Sequence, residues 1–401
     1  MSVAILGGGF QGCCAAIELA ERGIQVTLYE QNSILLAGAA TVNEGKIHLG
    51  YNYASDSSLK TVNTLLQGAL SFAPKLQRYL DADVSLAAEP FVYAVHRDSQ
   101  IKVGDFATHL AATHSLVDAA AGRGSYFGID LKAPRRATRA ALENRFDPAH
   151  ILAAFDTSEI AINVLDLVRA MRGRIAHDPK INVRTRRKVT AVKEDGARLR
   201  VHSAGIDCDD ADSDTFSNVV NALWDGRLAI DATLGIHPGR KWIYRFKHGI
   251  RFQLFDSATF PSVTIVLGPF GDLVTYGDGS YYISWYPACM TAHSKALAPP
   301  AWRAEPHEPG LSKIVTESFA AMGAIVPQLR SVRPQNLAVR GGVIVAWGST
   351  DIDDHASELH RRYDIGVHSY GGYHSIDPGK LSMAPHFAKV CADRIRLKSV
   401  P

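Results

Sequence analysis

The chain has 401 residues, enough for two domains, and its 46% apolar and 21% charged residues are those of an ordinary folded protein rather than a disordered or collagenous one. Its 43 basic and 40 acidic side chains leave a net charge of +3 with no run of like charge, which excludes a polybasic nucleic-acid surface and leaves a small anionic substrate open. No stretch approaches the roughly 18 uninterrupted apolar residues of a membrane span. The sequence enters a strand-like segment at once, without the basic and apolar run of a leader, so the expected location is the cytoplasm. Cys13, Cys14, Cys208, Cys289 and Cys391 form no C-x-x-C pair, and reduced thiols are expected rather than a disulfide framework or a zinc site.

In chain order, "SVAIL" is a short apolar strand, "GGGFQG" a turn, "CCAAIELAERG" a helix closed by Gly23, and "IQVTLYE" a second strand. Gly7, Gly9 and Gly12 fall on G-x-G-x-x-G, where the first permits the tight turn, the second lets backbone approach a pyrophosphate, and the third lets helix and strand pack closely. The helix N-terminus offers free N–H groups to phosphate. Glu30 ends the second strand, where a carboxylate accepts from a ribose and disfavours a 2′-phosphate, so NADP is not expected. These residues identify a dinucleotide site, and leave NAD and FAD both open.

A simple nicotinamide dehydrogenase would continue with further βαβ units. Instead, small residues and glycines lead to "EGKIHLGYNYASDSS" and a helix capped by Asp56, Ser57 and Ser58. "KIHLGYNY" resembles the segment that runs under the flavin in FAD-dependent oxidoreductases of the D-amino acid oxidase and glycine oxidase superfamily. Within it, FAD-linked glycerol-3-phosphate dehydrogenase and L-2-hydroxyglutarate dehydrogenase are the most similar in motifs. "INVRTRRKVTAVKEDGARLRV", two strands and a turn, resembles the family's strand near the adenine, here at Val189. "FSNVVNALWDG" resembles its apolar-apolar-N-A-x-G turn over the pyrophosphate, with Asn221, Ala222 and Trp224 in place and glycine delayed to Gly226. "NLAVRGGVIVAWGS" is similar to the G-x-R-P segment that places a substrate arginine, here Arg340, with Gly341 where the proline stands. "DPGKLSMAPHF" is similar to the segment that opens the final helix against the flavin, with Gly379, Lys380 and Leu381.

The resemblance implies an α/β fold with a discontinuous Rossmann-like FAD-binding domain, residues 1–75, 155–235 and 335–401. A second α+β substrate domain, residues 76–154 and 236–334, is expected on a mainly antiparallel sheet. It implies FAD as cofactor, held by Gly7, Gly9, Phe10, Gln11, Gly12, Glu30 and Gln31 at one end and by Gly45, Lys46, His48, Gly379, Lys380 and Leu381 at the ring. Val189, Asn221, Ala222, Trp224, Arg340 and Gly341 lie between or beside them. The expected chemistry is oxidation of a C–H bond next to an amine or hydroxyl by hydride transfer to flavin N5, on an amino acid, amine, 2-hydroxy acid or polyol. Alternatives are an NAD(P)H-dependent flavin monooxygenase, a flavin-containing binding protein without turnover, and a plain NAD dehydrogenase.

Several side chains carry two readings each. His48 is a base or substrate contact, a covalent flavin attachment, or a structural histidine. Arg340 anchors a substrate acid group, or forms a surface ion pair with Asp351 or Asp353. Tyr282 and Tyr286 of "YYISWYP" wall a pocket over the flavin, or fill core. Arg245, Lys247 and Arg251 share one strand face, for which solvent is the simpler expectation. "DIDDHASELHRR" lacks metal-binding spacing at His355 and His360, and no metal is expected. The sequence leaves the electron acceptor open.

Overall fold

The computed structural model describes residues 2–397 except 81, 82, 123, 208, 209, 257, 353, 355 and 356, so Cys208, Asp353 and His355 lie outside the described residues. The fold is α/β. A six-stranded sheet runs in the order 366–370, 373–377, 218–221, 2–6, 25–29, 181–184, parallel except for the 366–370 edge. Its central strand, Ser2–Leu6, is apolar on both faces because helices cover one side and a small antiparallel sheet the other. The helix Phe10–Glu21 follows directly and packs against the C-terminal helix Ala384–Leu397. Lys60–Tyr79 packs on that same C-terminal helix, and Glu18, buried between the helices, accepts hydrogen bonds from the Tyr79 hydroxyl at 2.7 Å, from Lys75 and from Arg78.

The second sheet has nine strands among the described residues, mostly antiparallel, with Trp242–Leu254 pairing Ser280–Trp285 and Met290–Ser294. The strand pairings shift one expected boundary. Pro334–Trp347 runs the length of Trp242–Leu254 and belongs to this second sheet, and the six-stranded sheet resumes only at Gly366. The boundary at 335 follows from the resemblance of separate motifs, which does not register pairing between strands distant in sequence. Among the described residues of the segment 105–150, the helices are Val103–Ala121, which begins just before it, and Arg139–Arg145. "INVRTRRKVTAVKEDGARLRV" holds three strands rather than two: Ile181–Arg184 joins the six-stranded sheet, while Arg187–Asp195 and Arg198–Gly205 form a hairpin with Ala211–Phe216. The helix after "ASDSS" starts at Lys60 with Leu59 in the N-cap position and no side-chain cap from it; Asp56, three residues earlier, accepts from the Thr61 N–H at 2.9 Å. Among the described residues no helix is long and apolar enough to cross a membrane.

Candidate functional site

A cleft of about 820 Å³ lies where the two large sheets meet, within the size range of a cofactor site. At one end stands the glycine turn. Gly7 has φ +98°, and a Cβ there would come 2.9 Å from the Ala222 carbonyl. A Cβ on Gly12 would fall 1.9 Å from the Gly7 carbonyl, so the third glycine faces the strand and not the cleft. Gly9, with nothing within 4 Å of its Cβ position, lines the cleft along with Gly7, Phe10 and Gln11. Glu30 is held in place: Oε2 accepts from the Gly8 N–H at 2.9 Å, and Oε1 accepts from Asn32 at 2.8 Å and 2.6 Å. A carboxylate has about four acceptor positions, so capacity for a ribose hydroxyl is left. Gln31 and Val189 line the same end.

The turn after Asn218–Asn221 departs from the expected pattern. Gly226 has ordinary backbone angles, and Trp224 itself takes the left-handed position at φ +57° where the family pattern has glycine. A bulky residue there is strained, and the indole N–H donates to the Val343 carbonyl at 2.7 Å, tying the turn to the second sheet. Ala222 and Trp224 line the cleft. Asn221 does not: its amide donates to the Arg227 carbonyl, Asp231 and the Tyr373 hydroxyl, all within 3.0 Å.

At the other end Lys46, His48, Tyr282, Gly379, Lys380 and Leu381 come together. Lys46 lines the wall with its ammonium already engaged, by Asp272 at 2.9 Å and the Thr264 hydroxyl. Burial pulls its pKa down, but Asp272, Glu44 and Glu159 outweigh burial and the net shift is upward. His48 is buried, its Nδ1 3.6 Å from Glu159 and without a hydrogen-bond partner among the described residues. Burial first, then Lys380, hold His48 below the usual imidazole range against the opposing pull of Glu159. Burial pushes the Lys380 ammonium down to about 8, with Arg362 adding to it. Gly45 lies outside the cleft, against the Ile162 carbonyl.

Arg340 is not brought to this cleft. Its side chain is 44% exposed, its acidic neighbour is Glu305 at 3.9 Å, and Gly341 beside it is packed on Phe246. The cause is strand alternation: Val339 faces inward and Arg340 outward. The arginine whose charge acts on Lys380 is Arg362, which does not itself line the cleft and which sequence reasoning missed. Arg362 is buried and donates from Nη1 to the Val345 carbonyl at 2.9 Å, and Val345 pairs with Tyr244, the residue before Arg245. Arg245, expected in solvent, is also buried, bound to Asp351 at 3.0 Å and to the Tyr286 hydroxyl. Lys380 lies over the Tyr53 ring at 5.6 Å, and the Tyr53 ring meets His48 edge-on at 5.6 Å.

Five of the eleven buried side-chain atoms without a hydrogen-bond partner, among the described residues, fall in this one place: His48 Nδ1, Tyr53 OH, Arg245 Nε, His360 Nε2 and Arg362 Nε. Such atoms are costly to bury, and their concentration sets this place apart from the rest of the described interior. The nearby cations act on one another: Arg362 is pushed down by burial and then Arg245, and burial, then Arg362, Arg245 and Lys380, take His360 to about 4. Of the other residues singled out, Tyr286 closes over Arg245, Lys247 lines the cleft, and Arg251 lines a neighbouring cavity.

The residues fit a flavin dinucleotide, with a glycine turn and fixed carboxylate at one end and cations at the other. The glycine oxidase of Geobacillus kaustophilus superposes with a TM-score of 0.72 at 16% identity, over 98% of this chain and 94% of that one. The iminodiacetate oxidase of Chelativorans sp. BNC1 gives 0.70 at 14% identity, over 100% and 97%. The FAD-dependent monooxygenase FPY4 of Fusarium mangiferae is 26% identical over 335 residues, 83% of this chain and 72% of that protein. The sequence profile of the FAD dependent oxidoreductase family, DAO, matches residues 2–394. The chain is thus an enzyme of that family, and its cofactor is FAD.

Proposed function

We propose that the enzyme oxidises a C–H bond adjacent to an amine or hydroxyl in a small substrate that carries an acidic group. The observation that carries this reading is the cluster of buried, unpartnered groups around Arg362 and Arg245, close enough to Lys380 at the ring end of the cleft for their charges to act on one another. Bound FAD supplies the hydride acceptor, its N5. The chain's part is to place the substrate carbon: guanidinium forks at Arg362 and Arg245 grip the acid group, and Tyr53 donates its free hydroxyl to the same anion. His48, kept neutral by burial, takes the heteroatom proton at its imidazole, and Glu159 acts as a positioning residue behind Nδ1. Tyr282 closes the substrate side of the cleft.

On the same reading, Gly7, Gly9, Phe10, Gln11, Glu30, Gln31, Val189, Ala222 and Trp224 hold the adenosine and pyrophosphate. Lys46, Gly379, Lys380 and Leu381 hold the ring. Gly12, Gly45, Asn221 and Gly341 build the frame behind them. The six-stranded sheet is then the FAD-binding layer and the nine-stranded sheet the substrate layer.

A second reading, a monooxygenase whose flavin is reduced by NAD(P)H, is favoured by one observation: the Fusarium relative is an FAD-dependent monooxygenase. The two readings part on reductant. Anaerobic NADPH or NADH, added to the yellow protein without substrate, leaves the flavin colour unchanged on the first reading and bleaches it on the second.

A further inference from the structure

A second cavity, about 530 Å³, lies beside the cleft. It is bounded by the helix Val164–Ala176, residues of the segment 34–42, and second-sheet strands carrying Gly249, Arg251, Tyr282, Ala338 and Arg340. It shares three wall residues with the cleft, Ala37, Val42 and Tyr282. A Cβ on Gly249 would lie 2.4 Å from the Tyr282 ring, so the absent side chain is what lets that ring form the dividing wall.

The lining pairs apolar surface with charge of one sign. Ile34, Val42, Leu165, Val168 and Ala338 supply the first, and Arg169, Arg172, Arg251 and Arg340 the second, with no acidic residue on the wall. Arg169 and Arg340 have carboxylates nearby, Asp166 at 3.1 Å and Glu305 at 3.9 Å. The other two arginines have only neutral acceptors among the described residues. Arg172 donates to the Leu35 carbonyl at 2.8 Å. Arg251 makes three contacts, each at 3.4 Å, to Asn163 Oδ1, the Asn43 carbonyl and the Tyr276 hydroxyl, and its Nε is buried with no partner. Ile34 and Leu165 stand 50% and 40% exposed on the cavity wall, an apolar surface that water covers at a cost.

We propose that this cavity binds an amphiphilic organic anion, a carboxylate on an apolar chain, with its acid group against Arg251 and Arg172. Its apolar body lies along Leu165, Val168 and Ile34, and Tyr282 separates it from the reaction cleft. The ligand differs from the one held by Arg362 in needing apolar length as well as charge.

Calorimetric titration of the FAD-loaded protein with butanoate, hexanoate and octanoate tests this without turnover, so it stands or falls apart from the oxidation reading. Affinity is expected to rise about fourfold per methylene until the cavity is filled. Octanol, the same chain without the charge, is expected to bind at least roughly tenfold more weakly than octanoate. Leu165→Glu, which sets a negative charge on the apolar wall, is expected to weaken octanoate by a similar factor while flavin content and visible spectrum stay unchanged. The proposal is overturned if affinity is independent of chain length, if octanol matches octanoate, or if octanoate binding is lost in Arg362→Gln but kept in L165E. Should L165E fail to fold, the octanoate and octanol comparison on the unaltered protein decides.

Discussion

On the proposed reading Arg362 and Arg245 grip the substrate acid group beside Lys380 at the ring, and neither Arg362 nor Lys380 has an acidic hydrogen-bond partner among the described residues. A hydrogen bond to a charged group contributes about 1.5–3 kcal/mol. Arg362→Gln is therefore expected to raise KM for an acidic substrate roughly ten- to hundredfold and to change kcat less, measured by steady-state kinetics. Lys380 adds a pH signature. Its pKa is lowered to about 8 by burial and Arg362, so the ammonium is charged below that pH and neutral above it. kcat/KM for an anionic substrate should decline as pH rises through about 8, and Lys380→Met should flatten that limb. Unchanged limbs in the two profiles would remove Lys380 from substrate and ring binding. These two residues were unequally legible in sequence. Lys380 sits in "DPGKLSMAPHF", next to a glycine and a helix start that give it a context, whereas Arg362 follows an irregular segment and is brought near Arg245 by its hydrogen bond to the carbonyl of Val345, whose strand pairs with Tyr244.

At the scale of elements, the opening strand, turn and helix were readable because their periods and glycines are local. The roles of the three glycines separate in the structure. Gly12→Ala puts a methyl group on the Gly7 carbonyl, while Gly9→Ala meets no protein atom and projects into the cleft, where the proposed reading puts the pyrophosphate. G12A is expected to lower the melting temperature of the flavin-free protein; G9A is expected to leave it unchanged and to weaken FAD binding alone. Flavin titration of both apoproteins with parallel thermal melts distinguishes these outcomes, and equal melting temperatures would contradict the packing role of Gly12. Trp224 shows the limit of pattern reading at this scale. The expected glycine is absent, yet the backbone still makes the left-handed turn, because the indole hydrogen bond to Val343 holds it. Likewise, nothing local to 334–347 told which sheet this strand would join; its partner lies about ninety residues earlier in the chain.

Across the whole molecule, the titratable groups point toward acid sensitivity. His360 is buried and taken to about 4 by burial, Arg362, Arg245 and Lys380, from an ordinary value of 6.5. The unfolded chain binds that proton first as pH falls, so stability is complete above about 6.5 and is lost between there and about 4. For His360 alone the loss is about 3 kcal/mol. His48 and His248 shift in the same direction, each mainly through burial, and add to it. His360→Gln is expected to reduce the steepness of stability against pH over this window, read by denaturant unfolding at pH 7, 6 and 5. A profile as steep as that of the unaltered protein would contradict the assignment. FAD binding and family membership were legible from motifs spread over both ends and the middle of the chain. The proposed substrate side was not, because Arg245, Arg362 and Lys380 come from separate strands and turns and meet only in the fold.

The most direct test of the proposed chemistry is anaerobic bleaching of the flavin absorbance by matched pairs of small compounds, 2-amino or 2-hydroxy acids against their neutral amides. The account predicts that one or more of the acids bleaches the flavin without any nicotinamide, that its amide does so far more slowly, and that Arg362→Gln narrows the difference. Bleaching by NADPH alone, or equal rates for acid and amide, would contradict it.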